Sequence, residues 1–228
     1  MLLDTDVSHF TIRSHLWRET NQDFKSDLAS LLKTDLAKAE CFCDEYFDKF
    51  YLIHQLGHII LHLFDPEQAQ KPARTEYLAN LFAVKYFEYK KEYDYLDRLS
   101  DCLAGLASSY RALFDFHVDK LNGLHDKYKK EIITLAAWHI NALRAARRSK
   151  ESLAAVLSHM SGRALTSLNN GVLPRKGLRG RALLQECKST IFELNNVMPE
   201  ISVEYCQDLS IANFDVEITL PPSEAECV

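Results

Sequence analysis

Tyr51-Leu52-Ile53-His54-Gln55-Leu56-Gly57-His58-Ile59-Ile60-Leu61-His62-Leu63 is the longest apolar run in the chain, and three histidines interrupt it. It reads as a helix over residues 50–63. Asp65-Pro66 ends it, because proline lacks an amide donor and disfavours a helical residue before it. His54 and His58 stand four apart, close to one turn of 3.6 residues, so both imidazoles leave the same face and can grip one ion. His62 lies a further turn along. At 1.5 Å per residue it is about 12 Å from His54 along the axis, while metal–nitrogen bonds are about 2.1 Å, so it is expected behind the ligands or in the core rather than among them.

A metal site needs a third protein ligand, with an open position if it is to do chemistry. Glu76 is the best candidate, eighteen residues after His58 and near the start of a second helix expected over 74–91. The short loop 68–73, with Pro72, would fold that helix back on the first and bring the carboxylate over the histidine pair. The bland alternatives are core histidines bonded to backbone and a carboxylate favoured by a helix N-terminus. The residue after the first histidine is where a zinc protease carries its catalytic glutamate. Here it is Gln55.

Lys49 to His62, followed by Glu76-Tyr-Leu-Ala-Asn-Leu-Phe-Ala83, resembles the core of the ImmA/IrrE metallopeptidases. That family reads His-Glu-Leu-Gly-His, with a Leu-His a turn later, then Glu-x-x-Ala-Asn-x-Phe-Ala. The resemblance covers about 40 of the 228 residues. It implies a gluzincin-like helix pair with zinc held by His54, His58 and Glu76, and with His62 and Asn80 behind them. It also implies a protein substrate or regulator as partner, since members often act on helix-turn-helix repressors.

The chain departs from that pattern in three places. Gln55 replaces the glutamate, and a neutral amide cannot take the proton from an attacking water; lost general acid–base help costs about 10² to 10⁴ in rate. Val84-Lys-Tyr-Phe stands where the family continues Leu-Leu-Met-Pro. Strand-like sequence ahead of the histidine helix is poor, so a reduced sheet is expected. Two accounts of Gln55 stand side by side: a site silenced by substitution, or a naturally degenerate one. Two other functions fit the same residues. Two histidines and one carboxylate also describe a non-haem iron site, which needs no glutamate base. A pseudoprotease could instead bind a regulatory partner without cleaving it.

The remaining sequence bounds these readings. Apolar residues make up 47%, enough for a core, and no apolar run approaches the roughly 20 residues needed to cross a bilayer. Six scattered cysteines and an N-terminus with no basic-then-apolar pattern lead to the expectation of a reduced, cytoplasmic protein without membrane contact. Between Leu143 and Arg181 there are nine basic residues and one acidic; from Glu186 onward there are nine acidic and one basic. These blocks can pair within the fold. The basic tracts lack interleaved aromatics, so nucleic acid is not expected as a partner. Nothing in the sequence sets the oligomeric state.

Helical spacing over 21–38 places Phe24, Leu28, Leu31, Leu32 and Leu36 on one side. Ser100 can cap a further helix, helical patterns continue to about residue 168, and another helix is expected over 182–195. Tyr77, Tyr86, Tyr89, Tyr93 and Tyr95 are expected to pack the helices, and His117, His125, His139 and His159 to be structural. Asn169-Asn170-Gly171 marks a loop. Ile201, Val203 and Tyr205, then Phe214, Val216, Ile218 and Leu220, alternate with polar residues and suggest a C-terminal β-hairpin. The expected fold is α+β and predominantly α-helical: a zincin-like core over 1–99, then a helical extension with a hairpin over 100–228.

Overall fold

A computed structural model describes residues 9–31, 34–69, 72–109, 143–165, 168, 174–191, 194, 196–207 and 216–219. The fold is α+β and mostly helical. Strand β1 (His9–Ser14) leads through a 3₁₀ turn (Trp17–Glu19) into α1 (Gln22–Leu31) and α2 (Leu36–Glu45). A π-turn (Tyr46–Phe50) joins α2 to α3 (Tyr51–Phe64) without a break in helical backbone. Then come α4 (Pro66–Ala69), α5 (Pro72–Tyr89), α6 (Tyr93–Ser109), α7 (Leu153–Ser161), α8 (Gly180–Thr190), β2 (Glu200–Tyr205) and β3 (Val216–Thr219). Among the described residues no helix is long and apolar enough to cross a membrane.

Helix α3 is the axis of the molecule. Every residue in it is buried except His58, His62 and Leu63, which are half-buried. A helix apolar on all sides must be covered on all sides. Accordingly α5 lies along it, α7 packs across both, α8 meets it further round, and the sheet covers another flank. The chain leaves α3 at Asp65, and Pro66 opens α4 as a first-turn proline, where its missing amide costs nothing.

The expected hairpin does not form. β2 and β3 do not pair with each other; β1 runs between them, in the order β2-β1-β3. β1 pairs with β2 in parallel, His9 opposite Glu200, and with β3 antiparallel, His9 opposite Thr219. The strand that sequence reading missed is therefore the centre of the sheet. Phe10 and Ile12 point into the core and are fully buried, while His9, Thr11 and Arg13 are half-buried.

Two helix boundaries also differ from expectation. The stretch 21–38 is broken, because Asp35 caps a new helix by accepting the Lys38 amide at 2.9 Å. Leu36 is consequently exposed rather than part of an apolar stripe. Ser100 does not start a helix: α6 begins at Tyr93, and the Ser100 hydroxyl donates back to the Leu96 carbonyl at 2.7 Å. His117, His125, His139 and Asn169-Asn170-Gly171 lie outside the described residues.

Candidate metal centre

The site begins with a glycine. Gly57 lies between His54 and His58 on α3, and a Cβ built there would come within 2.9 Å of the Ala79 Cα and 3.2 Å of the Phe82 ring. Only a residue without a side chain lets the two backbones approach this closely. That approach brings Glu76, one turn before Ala79 on α5, within reach of the histidine face.

The three side chains converge. The Glu76 carboxylate spans both rings, with Oε2 3.2 Å from His54 Nε2 and Oε1 3.3 Å from His58 Nε2. The two Nε2 atoms are 2.9 Å apart, and the rings stand edge to face at 82°. Among the described residues, His54, His58 and Glu76 are the group of donors that could hold a metal ion. The spacing fits one: four bonds of about 2.1 Å in a tetrahedron separate their ligand atoms by about 3.4 Å. Burial would oppose a charge on Glu76, but the neighbouring His58 and then His54 outweigh it and hold the carboxyl well below its ordinary range. The His54 side chain is 1% exposed, against 19% for His58 and 15% for Glu76, so the group is closed toward the core and opens on the His58–Glu76 side.

Of the other expected site residues, Asn80 touches this group and His62 turns away from it toward the sheet. Asn80 is fully buried, and its Nδ2 donates to the Glu76 carbonyl at 2.8 Å, bracing the turn of α5 that carries the carboxylate. His62 faces the sheet, edge-on to Phe10 with centroids 6.1 Å apart. Gln55 is buried in α3 beside His54. His159 is exposed on α7 and meets Arg74 at 3.2 Å. Of the tyrosines expected to pack helices, Tyr86 and Tyr95 are buried, while Tyr93 is exposed.

Sequence reading missed the aromatic wall behind His54. Phe50 and Tyr51 stack against its ring, with centroids 6.4 and 6.2 Å away. Tyr46 lies one layer further back, against Phe50 and Tyr51. Burial, and after it the charge of Glu76, push the Tyr46 phenol above its ordinary pKa and keep it protonated. The run Tyr46-Phe47 and Phe50-Tyr51 was the available signal, but only the π-turn shows which rings reach the histidine.

Also missed was a buried charge cluster just beyond the C-terminal end of α5, the end away from Glu76. Lys49 and Lys90 meet Glu92, Lys90 meets Glu186, and Tyr86 donates to Glu186 at 3.2 Å. The basic block does not simply face the acidic tail. Arg179 pairs with Glu45 and Arg147 with Asp97, both in the first half of the chain, while Arg175 pairs with Glu186. No family, curated protein or solved structure matches the chain.

Proposed function

We propose that the chain is a zinc site of the metallopeptidase type, of the ImmA/IrrE kind, whose hydrolytic step is disabled by Gln55. The observation that carries this reading is the convergence of His54, His58 and Glu76 from two helices held together at Gly57. A bound zinc ion would supply a Lewis acid for a scissile carbonyl and a means of activating water near neutral pH. The chain's own residues set the limits. His54 packs against Phe50 and Tyr51 of the preceding turn, and the partly exposed His58 and Glu76 leave an approach from solvent. Gln55 can orient a water or a peptide group through its amide, but it cannot take up a proton. Binding of a polypeptide without rapid cleavage is the expected behaviour.

The test is Gln55→Glu. With zinc supplied, this variant should gain about 10² to 10⁴ in peptide hydrolysis over the unaltered chain. No gain across a broad panel of polypeptides would refute the disabled-peptidase reading. Gln55 also favours a second reading, a two-histidine, one-carboxylate iron site acting on a small molecule. Stoichiometric iron with oxygen-dependent turnover in the unaltered chain would favour it over zinc.

A further inference from the structure

The helix that carries both histidines is entered through a π-turn. Residues 46–50 form this turn, and the Tyr51 amide closes it on the Tyr46 carbonyl. A π-turn inserts one residue into a helical run, so the helix beyond it is rotated by about 100° relative to an uninterrupted α-helix. The azimuth at which His54 and His58 face α5 therefore depends on the turn keeping its extra residue. π-turns are rare because the α-helical alternative is intrinsically better, so tertiary contacts must hold this one.

Its two charged residues make those contacts. Asp48 and Lys49 are both buried inside the turn and reach different elements. Asp48 Oδ1 accepts from the Tyr205 hydroxyl of β2 at 2.8 Å. Lys49 Nζ donates to Glu92 Oε2 at 2.5 Å and sits 3.6 Å from the centroid of the Tyr95 ring. Glu45, just before the turn, pairs with Arg179. Space for the Tyr205–Asp48 bond comes from Gly180, whose φ of +56° suits glycine and whose added Cβ would lie 2.7 Å from the Tyr205 oxygen. Buried charges of this kind add little net stability, but they tolerate one geometry only. A turn relaxed to α-helix would swing both side chains away from their partners.

We propose that Asp48 and Lys49 are positioning residues that lock the π-turn and so aim His54 and His58 at Glu76. The proposal rests on the reading of those three residues as metal ligands. It makes metal affinity depend on Tyr205 and Glu92, neither of which belongs to the ligand group.

The experiment is a Co²⁺ titration of the full chain, monitored by the visible absorption of the bound ion. It compares the unaltered protein with Tyr205→Phe, with the paired change Lys49→Met/Glu92→Met, and with Lys38→Ala as a control on an exposed side chain outside the cluster. The paired change removes both charges, so neither is left orphaned. Circular dichroism checks that each variant is folded at the titration temperature. Affinity should fall about tenfold or more in the paired variant, the size of effect seen when outer supports of metal ligands are lost, and less in Tyr205→Phe. The absorption band should shift in both, and Lys38→Ala should match the unaltered chain. Unchanged affinity and band in the folded variants would overturn the proposal. If the paired variant does not fold, Tyr205→Phe decides alone. An unaltered chain that takes up no Co²⁺ would instead defeat the ligand assignment, and the proposal with it.

Discussion

The two ends of α5 treat charge in opposite ways. At one end the buried Lys49, Lys90 and Glu92 are joined by the partly buried Glu186, with Tyr86 and Tyr95 against them. At the other end a carboxylate and two imidazoles bring Oε1, Oε2 and both Nε2 atoms together, with contacts of 2.9 to 3.3 Å. The first arrangement is complete in itself. The second is a set of donors that could hold a metal ion. What separates the two clusters is ligand chemistry: lysine ammoniums offer no electron pair to a metal, while imidazoles and a carboxylate do.

The largest effect is expected at the closed end. Lys49→Ala takes from Glu92 the nearer of its two buried ammonium partners and leaves Lys90, 3.6 Å away, as the other; removing one partner of a buried pair costs about 3–5 kcal/mol, and the remaining lysine should hold the loss toward the lower figure. Urea unfolding should show a loss of that order; a loss below about 1 kcal/mol would mean that the pair is effectively solvated. Next is the junction between the ends. Gly57→Ala drives a methyl into the Ala79 backbone, and overpacking of this kind costs about 1–3 kcal/mol. Because the helices must separate, it should also weaken metal binding, which a titration of the folded variant would detect. The smallest effect belongs to a turn beside the closed end. Lys91 has a φ of +57°, and the amides of Lys91 and Glu92 return to the carbonyls of Glu88 and Phe87, a helix-ending turn that favours glycine. Lys91→Gly should therefore gain about 1 kcal/mol in the same unfolding assay, with metal binding unchanged.

The open end was far more legible in the sequence than the closed end. His54 and His58 declare themselves by spacing on one helix, and Glu76 needed only a short loop and an antiparallel return to be placed. The rest depends on contacts that no local pattern encodes. β1 has two inward residues, Phe10 and Ile12, among polar neighbours, and its partner β2 begins almost 200 residues later, so nearness along the chain suggested a hairpin where a three-stranded sheet stands. Lys49 and Glu92 are 43 residues apart, and Arg179 is 134 from Glu45. Nothing in their flanking residues marks them as partners. The break at Thr34-Asp35 is different: Asp35 was a readable capping signal, and the helical period running through it hid the stop.

Metal content tests the convergence of the three ligands most directly. Elemental analysis of the purified full chain, beside His58→Ala and Glu76→Ala, should find about one transition-metal ion per unaltered chain and little in either folded variant. Sub-stoichiometric metal in the unaltered chain after incubation with zinc, or equal metal in all three proteins, would contradict a common ion held by His54, His58 and Glu76.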